Sequence, residues 1–180
     1  MRIIGGKNKG KKLKSFEGQD IRPTSDRARE SLFNILGGRI LGCDFLDLCS
    51  GTGGVGLESY SRGANSVTFV DSSHKSLNLA KENANSIGLD KDFVLSTAEN
   101  FVKKTDKKFD IIFFDPPYIF DGVSEILTVI KERKILKDGG LFIYERVADK
   151  KSKEVLGFEL YQSRKYGIAV FDFYRASEEL

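Results

Sequence analysis

The 180-residue sequence predicts an α/β fold: a mainly parallel sheet with helices on both faces and an antiparallel hairpin added at one edge. Three observations carry this. From residue 44 onward, short apolar runs alternate with segments of helical periodicity, the pattern of successive strand–helix–strand units. The runs themselves, IIFF at 111–114 above all, are apolar at consecutive positions, as strands buried on both faces require. The last two strands, in FELYQSRKYGIAVFDFYRA, are too close in sequence for a helical crossover and so must pair as a hairpin.

The elements follow in order. RIIGG and KKLKSF flank a Gly/Asn/Lys turn, so residues 2–16 read as a basic hairpin, and residues 1–20 as an arm on a domain spanning 21–180. EGQDIRPT is a loop, and Pro23 biases Arg22 away from helix. Thr24 or Ser25 can cap SDRARESLFNIL, whose apolar positions 28, 32, 35 and 36 have helical spacing, and Gly37-Gly38 stop it. DFLDL is a strand, CSGTGGVG a glycine loop, LESYSRG a helix and SVTFVD a strand. SLNLAKENANSIG is a helix with Leu77, Ala80, Ala84 and Ile87 on one face. DFVLS, FDIIFFD and GGLFIYER are strands, separated by helices over AENFVKK and VSEILTVIKERKIL.

Composition narrows the function classes. Apolar residues make up 40% and charged residues 31%, a soluble chain with enough material for a sizeable core. No apolar run approaches the roughly 18–20 residues that cross a bilayer, and no apolar stretch follows the basic N-terminus as in a secretory signal, so the expected location is cytoplasmic. Cys43 and Cys49, with His74 as the one histidine, fall short of a zinc site and read as reduced thiols. His74 reads as exposed helix surface. The net charge is +3, yet residues 1–14 hold Arg2, Lys7, Lys9, Lys11, Lys12 and Lys14 with no acid. Such a run is either a solvated tail or an arm that contacts phosphates.

Two stretches carry chemistry. Gly51, Gly53 and Gly56 have a G-x-G-x-x-G spacing between a strand and a helix, where glycines let backbone N–H groups approach a ligand. Asp71 ends the next strand, placed to accept hydrogen bonds from ribose hydroxyls. Together they describe a site for a nucleoside-bearing cofactor. Asp47, on the strand just before the glycines, suits a ligand with an ammonium group and disfavours a pyrophosphate. That points to S-adenosylmethionine over NAD, as do the 40-odd residues before the loop and the presence of Ser50 beside it.

The second stretch, FFDPPYIF at 113–120, ends a strand beside that loop. Pro116 and Pro117 stiffen it and donate no backbone N–H. The Asp115 carboxylate and the Pro116 carbonyl can take both protons of an –NH2 group, and Tyr118 offers a face on which a base stacks. A nucleobase amine is a poor nucleophile because its lone pair is delocalised. Localising that pair requires positioning and electrostatics rather than a strong base.

Together, MRIIGGKNKGKKL, IRPTSDRARESLFNIL, FLDLCSGTGGVGLESYSRGA, FVD and FFDPPY make the chain resemble the RsmD-type 16S rRNA guanine-N2 methyltransferases, within the class I S-adenosylmethionine-dependent methyltransferases. The resemblance covers essentially the whole chain. It implies a seven-stranded sheet ordered 3-2-1-4-5-7-6 with strand 7 antiparallel, and methyl transfer to N2 of a guanine in small-subunit rRNA, in a ribosomal particle or its precursor, by a monomer. It implies that Gly51, Thr52 and Gly53 surround the methionine part of the cofactor, with Asp47 near its ammonium, Asp71 at the ribose and the Ala98 backbone at the adenine. Asp115, Pro116 and Tyr118 would handle the guanine, while Arg22, Thr24 and Arg27 line the mouth of the site. Lys7, Lys9, Lys11, Lys12 and Lys14 become candidate phosphate contacts. Where many class I enzymes carry an Asp for the adenine amine, this chain has Thr97, so Thr97 or Glu99 takes that place.

Other readings compete. A DNA adenine-N6 methyltransferase uses the same DPPY chemistry but usually adds a domain to read its sequence. A protein glutamine-N5 methyltransferase normally begins its motif with Asn. A silent RNA-binding assembly factor would keep the fold without needing Asp71, Asp115 and Tyr118.

Overall fold

A computed structural model describes residues 1–17, 24–90 and 92–177. Seven strands form one sheet in the order β3-β2-β1-β4-β5-β7-β6. They are β1 (Asp44–Leu48), β2 (Ser66–Asp71), β3 (Phe93–Leu95), β4 (Phe109–Phe114), β5 (Leu136–Val147), β6 (Phe158–Tyr166) and β7 (Ala169–Ala176). The first five pair in parallel, and β7 runs antiparallel to both β5 and β6. This is the strand order that the resemblance implies, with the terminal hairpin at the edge.

Alternating side chains build a core on each face of the sheet. Phe45, Phe69, Phe113, Ile143 and Phe171 pack against α1 (Asp26–Leu36), α2 (Gly54–Ser61) and α3 (His74–Asn85). Leu46, Leu48, Val70, Phe114 and Tyr144 pack against α4 (Ala98–Lys104) and α5 (Val123–Glu132). Toward the carboxyl ends of β1, β4 and β5, odd-numbered residues such as Phe45, Phe113 and Ile143 therefore face α1–α3, and this alternation sets where the acids at the strand ends point.

One boundary and one buried face differ from expectation. The helix expected over VSEILTVIKERKIL stops at Glu132. Lys134 takes φ 51°, Ile135 is buried, and Leu136 already pairs with Phe109 of β4. Sheet pairing and burial outweigh helix propensity there, which makes β5 twelve residues long. In α1, Ser25 caps the first turn and Gly37 ends the helix, but the buried face is Ala28, Arg29, Leu32, Phe33 and Leu36. Arg29 goes inside because it meets the Asp26 carboxylate at 2.9 Å, the Arg2 carbonyl at 2.5 Å and the Glu58 carboxylate at 3.8 Å.

The N-terminal hairpin is irregular. One antiparallel bridge joins Arg2 to Lys12, and the Ile3 and Leu13 N–H groups donate to Lys11 and Met1 carbonyls. Ile3 and Leu13 bury themselves in the α1–α3 core. Glu58 of α2 accepts from the Ile4 and Gly5 N–H groups at 2.9 and 2.8 Å. The Lys7 N–H donates to the Ser61 carbonyl at the other end of the same helix. The arm thus lies along α2. The expected division at residue 20/21 falls outside the described residues, as do Arg22 and most of the EGQDIRPT loop. Among the described residues, no helix is long and apolar enough to cross a membrane.

Candidate active site

The site forms at the carboxyl ends of β1, β2, β4 and β5. After β1 the chain enters the glycine loop through Cys49, at φ 68°, a left-handed conformation rarely adopted by residues other than glycine. Gly53 precedes α2, and the Gly53 N–H closes a turn on the Ser50 carbonyl. A Cβ at Gly56 would lie 2.4 Å from the Phe69 ring and 3.0 Å from an Asp47 oxygen, so only glycine lets α2 sit this close to β1 and β2. A Cβ at Gly51 would meet nothing within 4 Å, so that turn of the loop borders open space.

Asp71, Asp47 and Asp115 line this end. Asp71 is half-buried, and its two oxygens accept from the Gly51 and Ser73 N–H groups, each at 2.8 Å. It therefore ties the glycine loop to the end of β2. Asp47 is 2% exposed and accepts from the Gly56 N–H at 2.8 Å. Burial pushes its pKa up to about 7 against the pull of that N–H, with the Asp71 and Glu145 charges adding to the rise. Asp115 follows β4, and its backbone N–H reaches the Leu48 carbonyl at 3.3 Å. Among the described residues, none donates a hydrogen bond to its carboxylate. Desolvation raises its pKa well above the ordinary carboxylate range, reinforced by the Glu145 and then the Asp47 charge.

The remaining DPPY residues form a braced turn. Pro116 is buried, the Phe120 N–H closes on the Pro117 carbonyl at 2.9 Å, and the Phe120 ring meets Phe114 edge-on at 5.5 Å. Lys150 donates to the Tyr118 carbonyl, and Lys153 pairs with Asp121 at 3.0 Å. Tyr118 is left 57% exposed at the tip. Opposite, Ala98 opens α4, where first-turn N–H groups have no intrahelical partner. Thr97 is already used: its hydroxyl caps α4 by accepting from the Asn100 N–H at 3.2 Å. Glu99, the other candidate, is half-buried, and its charge adds to the rise of the Cys49 thiol's pKa. Thr52 closes the loop, its carbonyl held by Asn83 at 3.0 Å.

The family model described as Conserved hypothetical protein 95 matches residues 1–175. The chain belongs to that family. A Haemophilus influenzae relative, ribosomal RNA small subunit methyltransferase D, is 29% identical, with 97% of this chain and 93% of the relative covered. The Escherichia coli (strain K12) protein of the same name is 34% identical over 81% of this chain and 74% of its own length. Among solved structures, yhhF from Escherichia coli matches with a TM-score of 0.88 and 28% identity over 99% of both chains.

Like its relatives, this family member is a methyltransferase with the class I fold, and its cofactor is S-adenosyl-L-methionine. The residues present fit that group. Gly51 borders open space, and the Ser50 hydroxyl is buried with no hydrogen-bond partner among the described residues. Buried Asp47 carries a carboxylate for an ammonium, and the Ala98 N–H stands at a helix start.

Other expected residues are spread out. Lys7 lies over the Tyr60 ring at 3.8 Å and Lys14 pairs with Glu82 at 2.9 Å, while Lys9, Lys11 and Lys12 are exposed along the arm. Lys7 and Lys9 sit toward the end of α2 away from the glycine loop. Arg27 is exposed on α1, and His74 is exposed at the start of α3. The residue that sequence reading missed is Glu145. It sits in GGLFIYER, which reads simply as a strand. The signal was there in the alternation: a charged residue directly after an apolar run at a strand's carboxyl end, on the parity of Ile143.

Proposed function

We propose that this family member transfers a methyl group from S-adenosyl-L-methionine to the exocyclic N2 of a guanine in small-subunit ribosomal RNA. The rRNA substrate is carried by relatives that cover nearly the whole chain, and the choice of an amine by one observation. That observation is a half-buried carboxylate, Asp115, with no protein donor among the described residues, set beside the glycine loop on a proline-stiffened turn.

The cofactor, when bound, supplies an electrophilic methyl group on a positively charged sulfur. The chain's task is to present the amine. Asp115 and the Pro116 carbonyl accept the two N–H protons, which turns the nitrogen lone pair toward the methyl group. Tyr118 stacks on the base once it is unstacked from the RNA. With the cofactor bound, its sulfur would keep the electrons of the methyl bond as the nitrogen takes the methyl group and gives up one proton. Asp115, its affinity for protons raised by burial, can receive it. Asp47 binds the cofactor's ammonium, Asp71 its ribose, Gly51, Thr52 and Gly53 its methionine part, and the Ala98 N–H its adenine. Lys9, Lys11 and Lys12, with Arg22, Thr24 and Arg27, contact RNA around the site. A monomer acting on a ribosomal particle or its precursor in the cytoplasm completes the reading.

Nucleoside mass mapping of small-subunit rRNA tests this. Cells lacking the protein should lose one N2-methylguanosine, and the purified protein with labelled cofactor should restore it. Label appearing only in adenine of plasmid DNA would replace this reading with the DNA one.

A further inference from the structure

The expected contacts account for the amine but not for the choice of guanine. Adenine also carries an exocyclic –NH2. What separates the two is the neighbouring ring nitrogen. In guanine, N1 beside the amine bears a hydrogen and donates. In adenine, both ring nitrogens nearest the amine accept. A site that reads guanine by this difference needs a second acceptor next to the one that holds the amine.

The fold provides one. Phe114 of β4 pairs with Tyr144 of β5, so the next residues, Asp115 and Glu145, are neighbours across adjacent parallel strands, whose backbones lie about 4.8 Å apart. Both continue the parity of Phe113 and Ile143 toward the α1–α3 side, close enough to Asp47 for their charges to couple with it. Glu145 is half-buried, and one of its oxygens accepts from the Thr24 hydroxyl at 2.6 Å. Thr24 immediately precedes the cap of α1, so the carboxylate is anchored from across the site. Its other oxygen is given no donor by the described residues. Arg146, the adjacent cation, turns instead to Asp172 at 2.6 Å.

We infer that Glu145 is the guanine-specificity residue: its free oxygen accepts the N1–H while Asp115 and the Pro116 carbonyl accept the N2 protons. This rests on the guanine-N2 reading above. Two carboxylates side by side repel each other and strain for donors, and a guanine edge supplies three N–H groups in one plane. Adenine would bring a ring acceptor against Glu145, leaving both unpaired, and that mismatch is strongly rejected in a dehydrated site. Thr24 is a positioning residue for Glu145.

The test uses 2-aminopurine, which keeps the 2-amino group but has an acceptor at N1. Once the methylated position is mapped, small-subunit rRNA is built by splinted ligation with guanine or 2-aminopurine there. Transfer is measured for the wild-type protein and for Glu145→Gln, with S-adenosylhomocysteine binding by calorimetry as the check on folding. The wild type should prefer guanine by about a hundredfold or more. Glu145→Gln, whose amide offers an N–H to the 2-aminopurine N1, should narrow that ratio at least about tenfold. A wild-type protein that uses both bases within about threefold, or a ratio unmoved in Glu145→Gln, overturns the inference and leaves the guanine reading standing. No transfer to guanine at all sinks that reading and this inference with it. If Glu145→Gln fails to bind S-adenosylhomocysteine, the wild-type ratio alone decides.

Discussion

Asp71 and Asp115 stand at the ends of two strands on opposite sides of β1, and they are used in opposite ways. Asp71 accepts from two backbone N–H groups, at Gly51 and Ser73, so its charge is satisfied before any ligand arrives. Asp115 has no such donor among the described residues, and burial with the Glu145 charge raises its pKa. The first is scaffold that shapes the glycine loop. The second is an acceptor kept in want of a donor, which is costly unless a ligand provides one. Asp47, with a single N–H at Gly56, lies between them. The difference separates residues that build the site from residues that act in it.

Removing the unsatisfied acid should give the largest effect on function and little on fold. Asp115→Ala is expected to reduce methyl transfer by about a thousandfold or more, the scale seen when a key electrostatic partner is removed. Affinity for S-adenosylhomocysteine, measured by calorimetry, should stay within about threefold. Turnover near the wild-type rate would break the comparison at its centre.

Asp47 sharpens the middle case through pH. Its carboxyl is raised from 3.8 to about 7 in the folded protein, so the folded state holds that proton more tightly than the unfolded chain. The stability this gives is full below 3.8 and is lost as pH rises toward 7, after which the buried charge is carried at full cost. Asp47→Asn keeps an oxygen for the Gly56 N–H and removes the charge. It should raise stability at pH 8 by roughly 4 kcal/mol, read as a higher melting temperature, and change little at pH 4. Cofactor affinity should fall about tenfold at pH 8 and converge with the wild type near pH 5.5, where both are neutral. Equal melting curves at pH 8 would mean that Asp47 is not the strained group described here.

The satisfied acid should behave as scaffold. Asp71→Ala leaves the Gly51 and Ser73 N–H groups without their acceptor. It should cost about 2 kcal/mol of stability, read in a urea titration at unchanged slope, and it should weaken cofactor binding as the loop loosens. A variant of undiminished stability with lost affinity would reassign Asp71 from scaffold to ligand contact alone.

How much of this was legible in the sequence follows the same division. Strand order, the edge hairpin and the two core faces follow from apolar alternation, because burial acts on every residue of a strand at once. The loop, Asp47, Asp71 and Asp115 were legible because glycines and prolines announce special backbone. Thr97 reads as a ligand contact in sequence and as a helix cap in the structure, since one hydroxyl can do either and only geometry chooses. Arg29 and Glu58, charged residues that apolar periodicity does not mark, meet inside. Their pairing depends on α1 and α2 meeting, with the arm joining them through Ile4, 54 residues before Glu58. Glu145 was hidden because its neighbour Asp115 lies 30 positions earlier, joined only by strand register.

The basic arm repeats the contrast with cations, at smaller scale. Lys14 is paired with Glu82, and Lys7 lies on Tyr60, whereas Lys9, Lys11 and Lys12 are exposed along the hairpin. Water satisfies an exposed ammonium almost fully, so each such lysine adds little to stability and little affinity by itself. Its contribution to RNA binding comes from releasing counterions when it meets a phosphate, and that contribution depends on salt. Changing Lys9, Lys11 and Lys12 to Gln should leave the melting temperature unchanged. The slope of log affinity against log salt for a small-subunit rRNA fragment, measured by anisotropy between 50 and 200 mM salt, should fall by about 2. Lys14→Gln alone should lower that slope by less than about 0.5 if Glu82 already neutralises it. An unchanged slope in the triple variant would return the arm to a solvated tail. A slope that falls as much for Lys14 as for its exposed neighbours would show that pairing in the free protein does not predict which charges the RNA uses.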